Sequence, residues 1–187
     1  MYKRQGNNTA IGRQALYSNT TASNNVAMGG NALFANTTGD RNAAIGALAL
    51  QANTTADANT AMGYEALKSN TTAEANSAVG FQSLRANTTG ANNTGIGMSA
   101  LYSNTTGTRN TAVGANSLDA NTTGSYNVGV GNFTLTSNTT GQQNTALGED
   151  TMDANITGSY NVAIGRLALQ ANTTGASNVA VGTNSLK

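Results

Sequence analysis

The side chains with the most direct chemical capacity in this chain are carboxylates. Glu149, Asp150 and Asp153 form its densest acidic patch, and their oxygens are of the type that holds Ca²⁺. Paired carboxylates also supply the acid and base of glycoside hydrolysis. Neither use is expected, because the three residues fall in a single unit, do not recur as a set in any other unit and flank no evident cleft. A solvated surface cluster is the simpler reading. The chain contains no Cys and no His, which removes thiol nucleophiles, thiolate metal sites and imidazole bases. No nucleophile–base–orienter set can be assembled. The chain is expected to be non-catalytic, with no cofactor and no metal.

Three further patterns carry chemistry. Asn-x-Thr, the acceptor sequence for N-glycosylation, occurs in every Asn-Thr-Thr or Asn-Ile-Thr turn, at Asn19, Asn36, Asn53, Asn70, Asn87, Asn104, Asn121, Asn138, Asn155 and Asn172. The same Asn residues suit turns, where Asn tolerates left-handed backbone. Gly-x-Gly occurs at Gly95-Ile96-Gly97 and Gly129-Val130-Gly131, but neither opens a phosphate-binding loop. The aromatics Tyr17, Phe34, Tyr64, Phe81, Tyr102, Tyr126, Phe133 and Tyr160 are scattered over variable positions, as exposed decoration or as a strip for a glycan or protein ligand.

All of these residues sit on one repeating element. Asn recurs at 8, 25, 42, 59, 76, 93, 110, 127, 144, 161 and 178, always 17 residues apart, and four residues after each comes Gly, from Gly12 to Gly182. Before each Gly stands an aliphatic residue: Ile11, Met28, Ile45, Met62, Val79, Ile96, Val113, Val130, Leu147 and Ile164 in the first ten units. Eight residues after the opening Asn come Leu16, Leu33, Leu50, Leu67, Leu84, Leu101, Leu118, Leu135, Met152 and Leu169. The unit closes on Asn-Thr-Thr followed by Gly or Ala, with Ile156 the one departure. A period held without insertion means that each unit stacks on its neighbours as one coil.

Within a unit, segments such as Thr9-Ala10-Ile11 read as short strands bounded by Asn and Gly. The aliphatic residues and the Leu/Met series are expected to form the repeat core. The small Ala is expected on the opposite strand face. Gly12, Ala15, Leu16 and Asn19 have helical spacing, yet strands in adjacent coils lie about 4.8 Å apart and packed helices need about 8–10 Å. The expected fold is therefore all-β, a β-solenoid of 17-residue coils, with a curved strand-plus-short-helix solenoid as the alternative. Residues 1–7 precede the repeats, and residues 8–187 make eleven units with the last one truncated.

Composition agrees with a patterned rod rather than a globule. Only 9% of residues are charged and 5% aromatic, too few for either a charge-repelled disordered chain or an ordinary core. Nine basic and eight acidic residues give a net charge of +1 with no basic run, so nucleic acid is not an expected partner. No apolar stretch reaches membrane-spanning length. With so few bulky residues per unit, sharing of thin cores between chains is expected, as a trimer or by end-to-end stacking.

Asn-x-Ala-Ile-Gly resembles the head repeats of trimeric autotransporter adhesins. The longer form, as in Asn59-Thr60-Ala61-Met62-Gly63-Tyr64-Glu65-Ala66-Leu67-Lys68-Ser69-Asn70-Thr71-Thr72, resembles repeats of phage tail fibres and bacterial surface proteins, which often end in an endosialidase-type intramolecular chaperone domain. The resemblance covers residues 8–187 and implies a trimeric, extracellular, cell-surface or virion fibre. The period departs from the shorter one of the autotransporter heads, and no chaperone or anchor segment is present in this sequence. The expected function is a structural or adhesive shaft. A Thr-rich ice-binding solenoid and a glycosylated extracellular fibril are the competing readings. Met1–Gln5 matches the translation of a transposon-end sequencing adapter, so this segment is expected to be an assembly artefact from environmental DNA and the chain a fragment.

Overall fold

The computed structural model describes residues 6–187; the Met1–Gln5 segment lies outside them. Eleven three-residue strands, from Thr9–Ile11 to Val179–Val181, form one parallel sheet in strictly sequential order. Each residue pairs with its counterpart one unit on, as Thr9 with Val26 and Ile11 with Met28. The fold is a β-solenoid in which every unit is one coil. At the parallel-strand spacing the stack is roughly 50 Å long.

The strand ends at the invariant Gly because only Gly suits that corner. Gly97 has a φ of 134°, and a Cβ there would lie 2.6 Å from the carbonyl carbon of Gly114 in the next coil. Positive φ and close backbone approach both require glycine.

The segment that follows is not helical, so the strand-plus-helix alternative is set aside. It consists of two tight turns: Ala15 N–H donates to the Gly12 carbonyl at 3.3 Å, and Asn19 N–H to the Leu16 carbonyl at 3.2 Å. Such i to i+3 bonds give the same residue spacing as a helical turn. Within them, Gln14 and Leu16 adopt φ of 57° and 52°, which ends any helix. The Leu16 N–H then donates across to the Ala32 carbonyl at 3.0 Å, tying coil to coil.

The interior overturns half of the expected core. Leu33, Leu50, Leu67, Leu84, Leu101, Leu118, Leu135 and Met152 are completely buried. The strand aliphatics are not: Ile11, Met28, Met62, Ile96, Val130 and Ile164 are exposed, and Ile45, Val79, Val113 and Leu147 only half-buried. The residue facing inward is the middle one, such as Ala27, Ala44, Ala61 or Ala112. The coil is too narrow for two bulky walls. Leu fills the space from one side, and the facing strand can offer only a methyl group or a hydrogen. One chain thus closes its own core.

Two ladders of buried asparagine complete the interior. The opening Asn donates from Nδ2 to the carbonyl that follows the Thr pair in its own coil, as Asn42 to Ala56 at 2.8 Å, while its Oδ1 accepts the backbone N–H of the next opening Asn, as Asn59 to Asn42 at 2.9 Å. The turn Asn donates to that same carbonyl and to the turn Asn of the preceding coil, as Asn53 to Ala56 at 3.0 Å and to Asn36 Oδ1 at 2.8 Å. A buried amide needs partners for its donors and its acceptor, and these rungs supply them in most coils; Asn76 Nδ2 is left unpaired among the described residues.

Candidate interaction surfaces

Because alternate strand residues face opposite sides, the outer sheet face carries the first and third residue of every strand. The third is always Ile, Met, Val or Leu, and the first is Thr, Val, Ala or Ser. No charge interrupts either row. Ile96 is 42% exposed and Met62 41%, so the apolar row lies open along the whole stack. Tyr64, Phe81 and Met98, just past the corner glycines of three successive coils, are also exposed and widen it. The Tyr64 and Phe81 rings stack at 5.6 Å.

Outward positions after the corner glycine, after the core Leu and before the opening Asn are decorated differently from coil to coil. Tyr17 stacks on Phe34 with centroids 5.4 Å apart. Arg85 lies over the Tyr102 ring, and Arg109 over the ring of Tyr126, whose hydroxyl it also hydrogen-bonds. Tyr160 and Phe133 are exposed without such a stacking partner among the described residues. The aromatics therefore occupy several edges of the coil and form no single continuous strip.

The charged groups pair locally. Glu65, with its side chain 7% exposed, accepts from Lys68 and Arg85 at 2.7 Å each and from Gln82 at 2.9 Å. Those donors, Lys68 first and Arg85 next, hold its carboxyl down at about 2. In the acidic patch, Glu149 reaches Arg166 at 3.0 Å on the open surface, and the Asp153 carboxylate accepts from Gln170 at 3.4 Å. Glu149, Asp150 and Asp153 are not gathered around a common point. Among the described residues no group of three His, Cys, Asp or Glu side chains is placed to hold a metal ion. Nor, among the described residues, is any helix long and apolar enough to cross a membrane.

The sequons look different once folded. Asn36, Asn53, Asn70, Asn87, Asn104, Asn121, Asn138 and Asn155 are completely buried, and their Nδ2 groups donate within the ladder. Asn19 and Asn172, in the end coils, are half-buried, and their Nδ2 groups donate to Ala22 and Gly175. The atom that would carry a glycan faces the interior, so the folded coil does not offer these residues for N-glycosylation. The adjacent threonines diverge. The first turns its hydroxyl onto the next coil, as Thr88 Oγ1 to the Thr105 carbonyl at 3.0 Å, and the second points outward.

The two Gly-x-Gly sequences answer to the core. Ser83 Oγ donates to the Gly95 carbonyl at 2.9 Å, and Ser117 Oγ to the Gly129 carbonyl at 3.1 Å. A Cβ on Gly95 would sit 2.6 Å from Ser83 Oγ, and one on Gly129 2.7 Å from Ser117 Oγ. Where Ser replaces the usual Ala on one wall, Gly replaces Ala on the strand opposite. Sequence reasoning missed this pairing, although the coincidence of Ser in one unit with Gly in the next was visible.

Comparison of the chain with protein-family models, with curated proteins and with solved structures found no match.

Proposed function

We propose that this chain is the structural shaft of an extracellular, cell-surface or virion fibre, built from copies of itself packed side by side through their outer sheet faces. The observation that carries the reading is the uncharged aliphatic row on that face, from Ile11 to Val181. A long contiguous apolar surface on a soluble rod marks an interaction site. A second copy is the partner whose side chains repeat with the same axial spacing, so rows can interlock along their full length. Three copies around one axis would bury the row of each, in keeping with the trimeric fibres that the repeats resemble. The rigid coil stack supplies reach, and the variable outward residues supply surface for a host glycan or protein. This role uses no catalytic group.

Light scattering on the full chain tests it. The native chain should run as a trimer. A variant carrying Met62→Lys, Ile96→Lys and Val130→Lys should run as a monomer with unchanged strand content, since these side chains lie outside the core of the single coil. A native chain that stays monomeric at high concentration would refute the assembly.

A further inference from the structure

The second threonine of each turn, from Thr21 to Thr174, is exposed in every coil. It is also Thr in every one of them. The other outward positions, after the corner glycine, after the core Leu and before the opening Asn, range over charged, aromatic and aliphatic residues. The first threonine of the pair, whose hydroxyl is used inside the fold, gives way to Ile156 in one coil, and Thr157 is still retained beside it. A residue held constant while its side chain makes no hydrogen bond among the described residues is answering to something outside the chain.

The row is also rigid. The N–H groups of both threonines and the hydroxyl of the first converge on one carbonyl of the next coil, as Thr37 and Thr38 do on Thr54 at 2.8, 3.3 and 3.0 Å. That pins the turn, and β-branching restricts the side chain to few rotamers. Each coil therefore presents one hydroxyl and one methyl, uncharged, at a repeat of about 4.8 Å. Little ordering remains to be done when such a row meets a regular partner.

We propose that this threonine row binds the surface of ice. The ligand chemistry follows from the row: an uncharged lattice of oxygens repeating near the strand spacing, met by hydroxyls that fit into it and methyls that order the water between them. The row occupies a different part of the coil from the aliphatic face. Side-by-side assembly and ice binding are separate properties.

Partition of the full chain into a slowly growing ice front, together with inhibition of ice recrystallisation, tests the proposal. The native chain should be taken up into the ice and slow recrystallisation. Thr106→Tyr, which sets a ring in the middle of the row, should reduce the inhibition several-fold with its circular dichroism and melting unchanged, while Thr106→Ser should keep more of it. The triple lysine variant of the sheet face should retain ice activity per chain, which separates failure of assembly from failure of this site. Exclusion of the native chain from ice would overturn the proposal, as would full activity in a folded Thr106→Tyr protein.

Discussion

At the scale of single residues, the interior works by exchange of small volumes. Ser83 and Gly95 form one such exchange, and it can be measured. Gly95→Ala alone drives a methyl group into the Ser83 hydroxyl and should destabilise the rod by about 1–3 kcal/mol. Ser83→Ala with Gly95→Ala rebuilds the Ala–Ala pairing of other coils and should recover most of that loss. A double-mutant cycle read by thermal melting gives the coupling; simple additivity would mean that the two sites do not share the space. Glu65 provides a second test at this scale. Its folded carboxyl is held at about 2, below the 4.5 of a free side chain. The ion cluster therefore contributes its full stability above about 4.5 and loses it as pH falls toward about 2. Glu65→Gln should lower melting at neutral pH and flatten the acid limb over that window. An acid limb identical to the native one would remove Glu65 from the account.

At the scale of the coil, much was legible in the sequence, and the reasons for the rest are physical. The period, the short strand and the glycine corner follow from residues that tolerate no substitute. The inward face does not, because bulk alone is a poor guide in a strand of three residues. Bulk points to both Ile96 and Leu101 as core, and it is Leu101 alone, from the opposing wall, that fills the space. Leu101→Asp should consequently unfold neighbouring coils, whereas Ile96→Asp should leave the single coil intact, as circular dichroism would report. Local chemistry presents the Asn of Asn-Thr-Thr as a turn former and the opening Asn as a strand boundary, because a ladder depends on side chains one unit away. The tight turns also hide strain. Phe133, exposed, sits at a φ of 53°, a region costing roughly 1 kcal/mol for most residues and less for Asn. Phe133→Asn should raise the melting temperature slightly; a fall would show that the ring contributes packing that outweighs the backbone strain.

For the whole molecule, the bonds between coils join residues about one period apart, so the stack should be editable in units of that period and in no others. Removing residues 144–160 takes out one coil and joins Gln143 to Asn161. The losses are local. The Glu149–Arg166 pair is exposed on both sides, where such pairs are worth little. Thr134, which donates to the Gly148 carbonyl at 2.9 Å, would meet the equivalent carbonyl of Gly165, as Thr151 does at 2.7 Å in the intact chain. Both asparagine ladders would close across the junction, Asn127 against Asn161 and Asn138 against Asn172. In a stack stabilised by nearest-neighbour contacts, the shortened rod should keep its strand spectrum, melt within a few degrees of the full chain and scatter as a rod shorter by about 4.8 Å. Removing Thr140 alone deletes far less material but puts the opening and turn asparagines of one coil out of step with every coil on either side. That chain should lose far more stability than the one missing an entire coil. Equal tolerance of both deletions would mean that the ladders do not set the register, and the account of the invariant asparagines would have to be abandoned.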